Sequence, residues 1–248
     1  MSVGHQENFP VASVLLPAAL RHPPHERLAL LAGYRAELRG LEAGRSPGSP
    51  LFRELSEVVA AHQLSLAPFH DLLDAFSQDV IKQRYANFAE VMDYCRRSAD
   101  PVGRLMLQLY GESDNHNIAC SDAICSALQL INFWQDVEID FRKNRIYLPQ
   151  EDMARFGVSE DQIAACDASG GWWNLMRFQI ERARSMMLAG APLAKQLPGR
   201  IGLEIRTVVQ GGLRILEKLD EARGDMFRHR PVLRAWDWPL MLTRALVM

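Results

Sequence analysis

Apolar residues recur along this chain at the three-to-four-residue spacing of helices, while the strict alternation of half-buried strands is scarce. The pattern reads as an all-α fold. Arg27 to Leu41 repeats Leu, Ala and Tyr at helical spacing and stops at the breaker Gly44-Arg-Ser-Pro-Gly-Ser-Pro50. Leu51 to His62 follows as a second helix, a third opens at Ala67 and runs through Val80, and Phe88 to Arg97 makes a fourth. Pro101 stands where a helix over Val102 to Tyr110 would begin. Trp172 to Leu188 and Ile201 to Arg223 are long helical patterns, the second interrupted by Gly211-Gly212. Each of those glycines costs about 1 kcal/mol against Ala in a helix, so they imply close packing against a neighbour or a ligand. With neither a linker nor a repeat, the 248 residues read as one helical-bundle domain, 1–248.

Charge and cysteine content narrow the function classes. The formal net charge is -2 and the basic residues are scattered, which excludes the footprint of a general nucleic-acid binder. Cys95, Cys120, Cys125 and Cys166 match no zinc or thioredoxin spacing and read as reduced, mostly buried thiols. The N-terminus has no basic residue ahead of its first apolar stretch, and Pro17 breaks that stretch, so it does not read as a signal peptide. No apolar run reaches the roughly 20 residues of a membrane span. The expected location is the cytoplasm. The aromatic segment from Trp236 to Met248 is expected to dock on the domain's own core, with peripheral contact at the inner membrane face as the alternative.

One stretch carries the chemistry. A helix from Ser121 to Asp140 would put Asp122, Gln129, Asn132, Asp136 and Asp140 on one face and Ala127, Ile131 and Trp134 on the other, with Leu128, Leu130, Val137 and Ile139 on the flanks. From Gly111 to Phe141 there is no Lys or Arg, whereas exposed helical faces usually mix signs, because like charges one turn apart repel. Asn132, Asp136 and Asp140 present three hard oxygen donors in succession, the type of ligand that Mg²⁺ takes in sites completed by phosphates. Arg142, Lys143 and Arg145 follow at once, as cations for phosphate oxygens or, for Arg142, as a charge favoured by the helix C-terminus. Asp114-Asn-His116 reads as a loop and N-cap before this helix. Trp172-Trp173 and Met186-Met187 read as core, and His5 as solvated.

The run Asn132-Phe-Trp-Gln-Asp136-Val-Glu-Ile-Asp140-Phe-Arg-Lys-Asn-Arg145-Ile-Tyr147-Leu-Pro149 resembles the second aspartate-rich motif of the squalene and phytoene synthases, with the Arg-x-Tyr-Leu-Pro segment that follows it. Asp79 with Arg84-Tyr85, Asp93-Tyr94-Cys95 and Ser98-Ala-Asp-Pro-Val-Gly103 resemble the family's preceding helices. His5-x-Glu-Asn-Phe-Pro-Val-Ala-Ser13-Val-Leu-Leu-Pro17 is similar to the opening of its bacterial hydroxysqualene synthase branch. The resemblance implies helices around a long apolar cavity, with Mg²⁺ held at its mouth by acidic motifs on two helices. It implies presqualene diphosphate as substrate, ionised and trapped by water as hydroxysqualene. Asn132, Asp136 and Asp140 would bind metal, and Tyr94, Asp136 and Asp140 are counted as catalytic. Lys143 and Arg145 would contact diphosphate, Gln129 and Tyr147 would join the substrate site, Tyr94 would lie by the reacting carbons, and Asn8 and Phe9 would sit at the entrance. Enzymes of the same pathway are the implied partners.

In one respect the sequence departs from that family. Leu15-Leu-Pro-Ala-Ala-Leu-Arg21 passes directly to His22-Pro-Pro-His-Glu26-Arg-Leu, which resembles the stretch after the first aspartate-rich motif. No Asp occurs before Asp71, and Glu7, Glu26, Glu37 and Glu42 form no paired face, so that motif and its helix segment read as missing. The expectation is the family's fold with reduced or no synthase activity. Squalene- or phytoene-type head-to-head condensation and a non-catalytic binder of isoprenoid diphosphates or a pathway partner are the competing functions.

Overall fold

The computed structural model describes residues 22–228 and 230–248. His5, Asn8, Phe9 and the Leu15-Leu-Pro17 segment lie outside the described residues. Among those described, every regular element is a helix. In order they are α1 (Pro24–Glu42), α2 (Pro50–His62), α3 (Ala67–Ile81), α4 (Phe88–Ser98), α5 (Asp100–Tyr110), α6 (Asn115–Gln135), α7 (Val137–Arg142), α8 (Gln150–Phe156), α9 (Glu160–Ala164), α10 (Trp172–Gly190), α11 (Leu193–Gln196), α12 (Gly199–Glu221) and α13 (Asp237–Val247). No described helix is long and apolar enough to cross a membrane.

The central element is α6. Its start is fixed by the Asp114 carboxylate, which accepts from the backbone N–H of His116 at 2.8 Å and of Asn117 at 2.9 Å, the N-cap that the sequence implied. Ala127, Leu130, Ile131 and Trp134 are fully buried or nearly so, and α4, α5, α10 and α12 all pack against the helix. Three glycines make the approach close enough. A Cβ on Gly103 of α5 would lie 2.3 Å from Ser121 Oγ, one on Gly190 of α10 would lie 2.5 Å from the Cys120 carbonyl, and one on Gly212 of α12 would lie 2.6 Å from Met187 Cε and 3.3 Å from Ile131. The Gly211-Gly212 pair therefore serves helix packing, with Gly211 lying against Met241 and Leu233. Trp172 and Met187 are core residues, as their positions suggested.

Helices α1 to α3 carry a second, smaller cluster around Leu38, Phe52 and Leu73. The C-terminal segment docks on the core as α13, which buries Met241 and Ala245 and leaves Trp236 and Trp238 exposed. Asp237 fastens it. Burial alone would raise the pKa of this carboxyl, but donors from Lys218 at 2.5 Å, Arg214 at 2.9 Å and the Arg234 backbone N–H at 2.7 Å outweigh burial and hold it well below the usual range.

Two alanine substitutions should move stability in opposite directions. Gly190→Ala forces a methyl group onto backbone and should cost about 1–3 kcal/mol in urea unfolding. Gly33→Ala, mid-helix with nothing within 4 Å of the new Cβ, should gain about 0.5–1 kcal/mol. A neutral Gly190→Ala would contradict the close approach of α10 to α6.

Candidate active site

The polar helix differs from the expected one in both bounds and continuity. It starts at Asn115, not Ser121, and stops at Gln135; Asp136 leaves helical geometry at φ -108°, ψ 16°, and α7 starts one residue later. The backbone still carries Asp136 N–H to the Asn132 carbonyl at 3.0 Å and Asp140 N–H to the Asp136 carbonyl at 2.8 Å. Asn132, Asp136 and Asp140 thus keep their one-turn succession across the break. Ile139, expected on the buried flank, lies beyond the break, on α7, and is 40% exposed.

Asp122 does not belong to this acidic group. Both of its oxygens are taken by Arg104 of α5, at 2.9 Å from Nε and 2.6 Å from Nη2. The absence of Lys and Arg from 111–141 is thus made good from other segments. Asp136 receives both oxygens' donors from Arg230, Nε to Oδ1 and Nη2 to Oδ2 at 3.2 Å. Asp140 has Lys143 Nζ at 3.2 Å. Arg142 pairs with Glu138 at the end of α7, consistent with a helix-end charge.

The segment after α7 is strapped to the chain between α3 and α4. Ile146 N–H donates to the Gln83 carbonyl at 3.0 Å, and Gln150 N–H to the Tyr85 carbonyl at 2.9 Å. Arg84 donates to the Asn144 carbonyl at 2.7 Å and forms a two-pronged pair with Glu160. The strap seats Tyr147 on Phe133, ring centroids 3.8 Å apart and nearly parallel, with Tyr94 and Tyr85 completing a buried aromatic cluster. These rings fill the interior beside the acids. Beside them opens a small cleft lined by Phe133, Asp140, Arg145 and Tyr147.

Asp79, on α3, joins this group through Tyr94 and Arg145, although the sequence reading assigns it no site role. Its Oδ1 accepts from the Tyr94 hydroxyl at 2.8 Å, and its carbonyl accepts from Arg145 Nη2 at 2.7 Å. Burial raises its pKa against the pull of Arg145 and Tyr94, and the charge of Asp140 raises it further. Asp140 is likewise raised by burial, with Lys143 opposing and Asp136 adding. Its place within the Asp79…Arg84-Tyr85 stretch was the available signal for Asp79; Arg230, 94 residues from its partner, had none.

Mg²⁺ is the metal that the resemblance implies. The donors suit it in kind: hard oxygens on Asn132, Asp136 and Asp140, with Asp79 and Asp140 both raised chiefly by burial and only secondarily by a neighbouring carboxylate. No group of three or more His, Cys, Asp or Glu residues that would hold a metal occurs among the described residues, and Asp136 is engaged by Arg230. The fit is therefore to one bank of ligands.

The squalene/phytoene synthase family model matches residues 20–237. The chain belongs to that family. Among family members, the hydroxysqualene synthase of Sinorhizobium fredii is 33% identical, with 86% of this chain and 80% of that protein covered, and the one of Rhodopseudomonas palustris is 34% identical, at 86% and 79%. The crystal structure of the squalene synthase HpnC from Alicyclobacillus acidocaldarius matches with a TM-score of 0.76 at 36% identity, over 79% of this chain and 74% of that one. A dehydrosqualene synthase structure, 21% identical, shares the fold with a TM-score of 0.77 over 95% and 81%. The synthase family fold is thus the fold of this chain. Relatives named hydroxysqualene and phytoene synthase make a synthase-type enzyme its functional class.

Tyr94→Phe keeps the aromatic cluster and removes the donor to Asp79. Because the native carboxyl holds its proton to higher pH than the unfolded one, stability falls as pH rises from the usual carboxylate range through the native pKa. Losing the hydroxyl should steepen that fall. The variant should match the parent near pH 4 and lose about 1–3 kcal/mol at pH 8 in urea unfolding. An equal loss at both pH values would contradict a charged Asp79 held by Tyr94.

Proposed function

We propose that this protein converts presqualene diphosphate and water to hydroxysqualene and diphosphate, with Mg²⁺ bound by Asn132, Asp136 and Asp140. The observation that carries the reading is the succession of these three oxygen donors, followed by Lys143 and Arg145, with Asp140 and Arg145 lining a cleft beside the rings of Phe133 and Tyr147. Three hydroxysqualene synthases among the relatives, 32–34% identical, support this branch over head-to-head squalene or phytoene synthesis.

When bound, the metal would supply Lewis-acid assistance to the departing diphosphate. Lys143 and Arg145 hold phosphate oxygens that the metal leaves free, with Arg145 already braced by the Asp79 carbonyl. The packed rings of Tyr94, Phe133 and Tyr147 wall the site and exclude bulk water from the carbocation. Asp79 fixes the Tyr94 hydroxyl, and Gln129 and Tyr147 join the substrate site. One water attacks the cation and loses a proton, which balances the departure of diphosphate. Asn8 and Phe9 are assigned to the entrance by the motif alone.

Activity is proposed to be low, because a clamp with one bank of acids leaves the metal under-ligated. A non-catalytic diphosphate binder is the second reading, favoured by the engagement of Asp136 with Arg230.

Incubation with presqualene diphosphate and Mg²⁺, with product identification by mass spectrometry, separates these readings. Slow formation of hydroxysqualene, reduced about 100-fold or more by Asp136→Ala or Asp140→Ala, is expected. Squalene or phytoene from prenyl diphosphates would replace the first reading, and calorimetric binding with no product at all would establish the second.

A further inference from the structure

The loop between α12 and α13 grips the metal-side acid at two successive positions. Gln135 Nε2, buried at the end of α6, donates to the carbonyl of Pro231 at 2.5 Å, and the next residue, Asp136, receives the two-pronged guanidinium of Arg230. Pro231 is itself buried, and Lys218 Nζ holds the following carbonyl, that of Val232, at 2.9 Å. The backbone around Arg230 is therefore held in register beside Asp136, while its side chain is 35% exposed and has room to turn away. By contrast, among the described residues Asp140 is met only by Lys143 from its own turn, through one contact at 3.2 Å with a lysine that is 58% exposed. Of the two carboxylates assigned to the metal, one is weakly engaged and the other is filled by a planar cation that matches both its oxygens.

We infer that Arg230 is a built-in counter-cation of Asp136 which occupies, in the unliganded protein, the carboxylate that a divalent metal needs, so that metal capture requires this ion pair to open. The inference rests on the metal reading under the proposed function. A free cation must displace the guanidinium to reach Asp136, which lowers the protein's affinity for metal alone. A cation arriving with a diphosphate brings anionic oxygens to which the released guanidinium can turn, so the opening costs less. The latch thereby favours joint binding of metal and diphosphate over metal by itself.

Mn²⁺ binding to the full chain without any diphosphate, followed by the electron paramagnetic resonance signal of the free ion, reads the latch directly and involves no turnover. Arg230→Gln should bind Mn²⁺ about three- to tenfold more tightly than the parent, which is the range an exposed but two-pronged pair supports. Arg230→Lys, with one point charge in place of a fork, should fall between them, and it carries the comparison if the glutamine variant fails to fold. In an Asp136→Asn background the gain should vanish. Equal or weaker binding by both Arg230 variants, or a gain that persists in the Asp136→Asn background, overturns the latch and leaves the metal reading standing. No Mn²⁺ binding by parent or variants overturns the metal reading and the latch together.

Discussion

Everything at the candidate site hangs on the enclosure of α6. Its apolar face is buried against helices from before and after it in the chain, and the approach is close only because Gly103, Gly190 and Gly212 present no side chain at the crossings. Side chains at those points would meet the helix backbone or its core residues within van der Waals distance, and packed interiors tolerate such overlap poorly. A rigid α6 places Asn132 and Asp136 at a defined edge, and the strap from Asn144 to Gln150 then fixes Arg145 and Tyr147 against it.

The electrostatics follow from that placement. The central stretch contains carboxylates and no Lys or Arg, so each acid must find a cation from elsewhere or go partly unpaired. Among the described residues, Asp122 finds Arg104, Asp136 finds Arg230, and Asp140 has only the exposed Lys143. The Asp79 carboxylate is bonded to the Tyr94 hydroxyl rather than to a described cation, while Arg145 binds the Asp79 carbonyl. The oxygen donors of Asn132, Asp136 and Asp140, beside basic residues that suit phosphate, are the local reason to place a metal and a diphosphate here.

Much of the fold was legible because long amphipathic helices announce themselves by period. The helices from α1 to α5, along with α10 and α12, match their patterns to within a few residues, and Asp114 and Gly212 could be assigned roles from residue type alone. The break at Asp136 was not legible, since neither Pro nor Gly marks it and the one-turn backbone bonds persist through it. Helices α8, α9 and α11 have seven, five and four residues, too few for a period to register. Asn132, Asp136 and Asp140 were legible as a group because they are local in sequence. The cations that pair with them, Arg230 above all, were not, because tertiary ion pairs leave no spacing to read.

The most direct measurement is anomalous diffraction from crystals grown with Mn²⁺ and inorganic diphosphate. The account predicts a manganese peak about 2.0–2.3 Å from carboxylate oxygens of both Asp136 and Asp140, with Arg230 turned away from Asp136. Ordered diphosphate with no metal at these two residues, and the Arg230–Asp136 pair still closed, would contradict it.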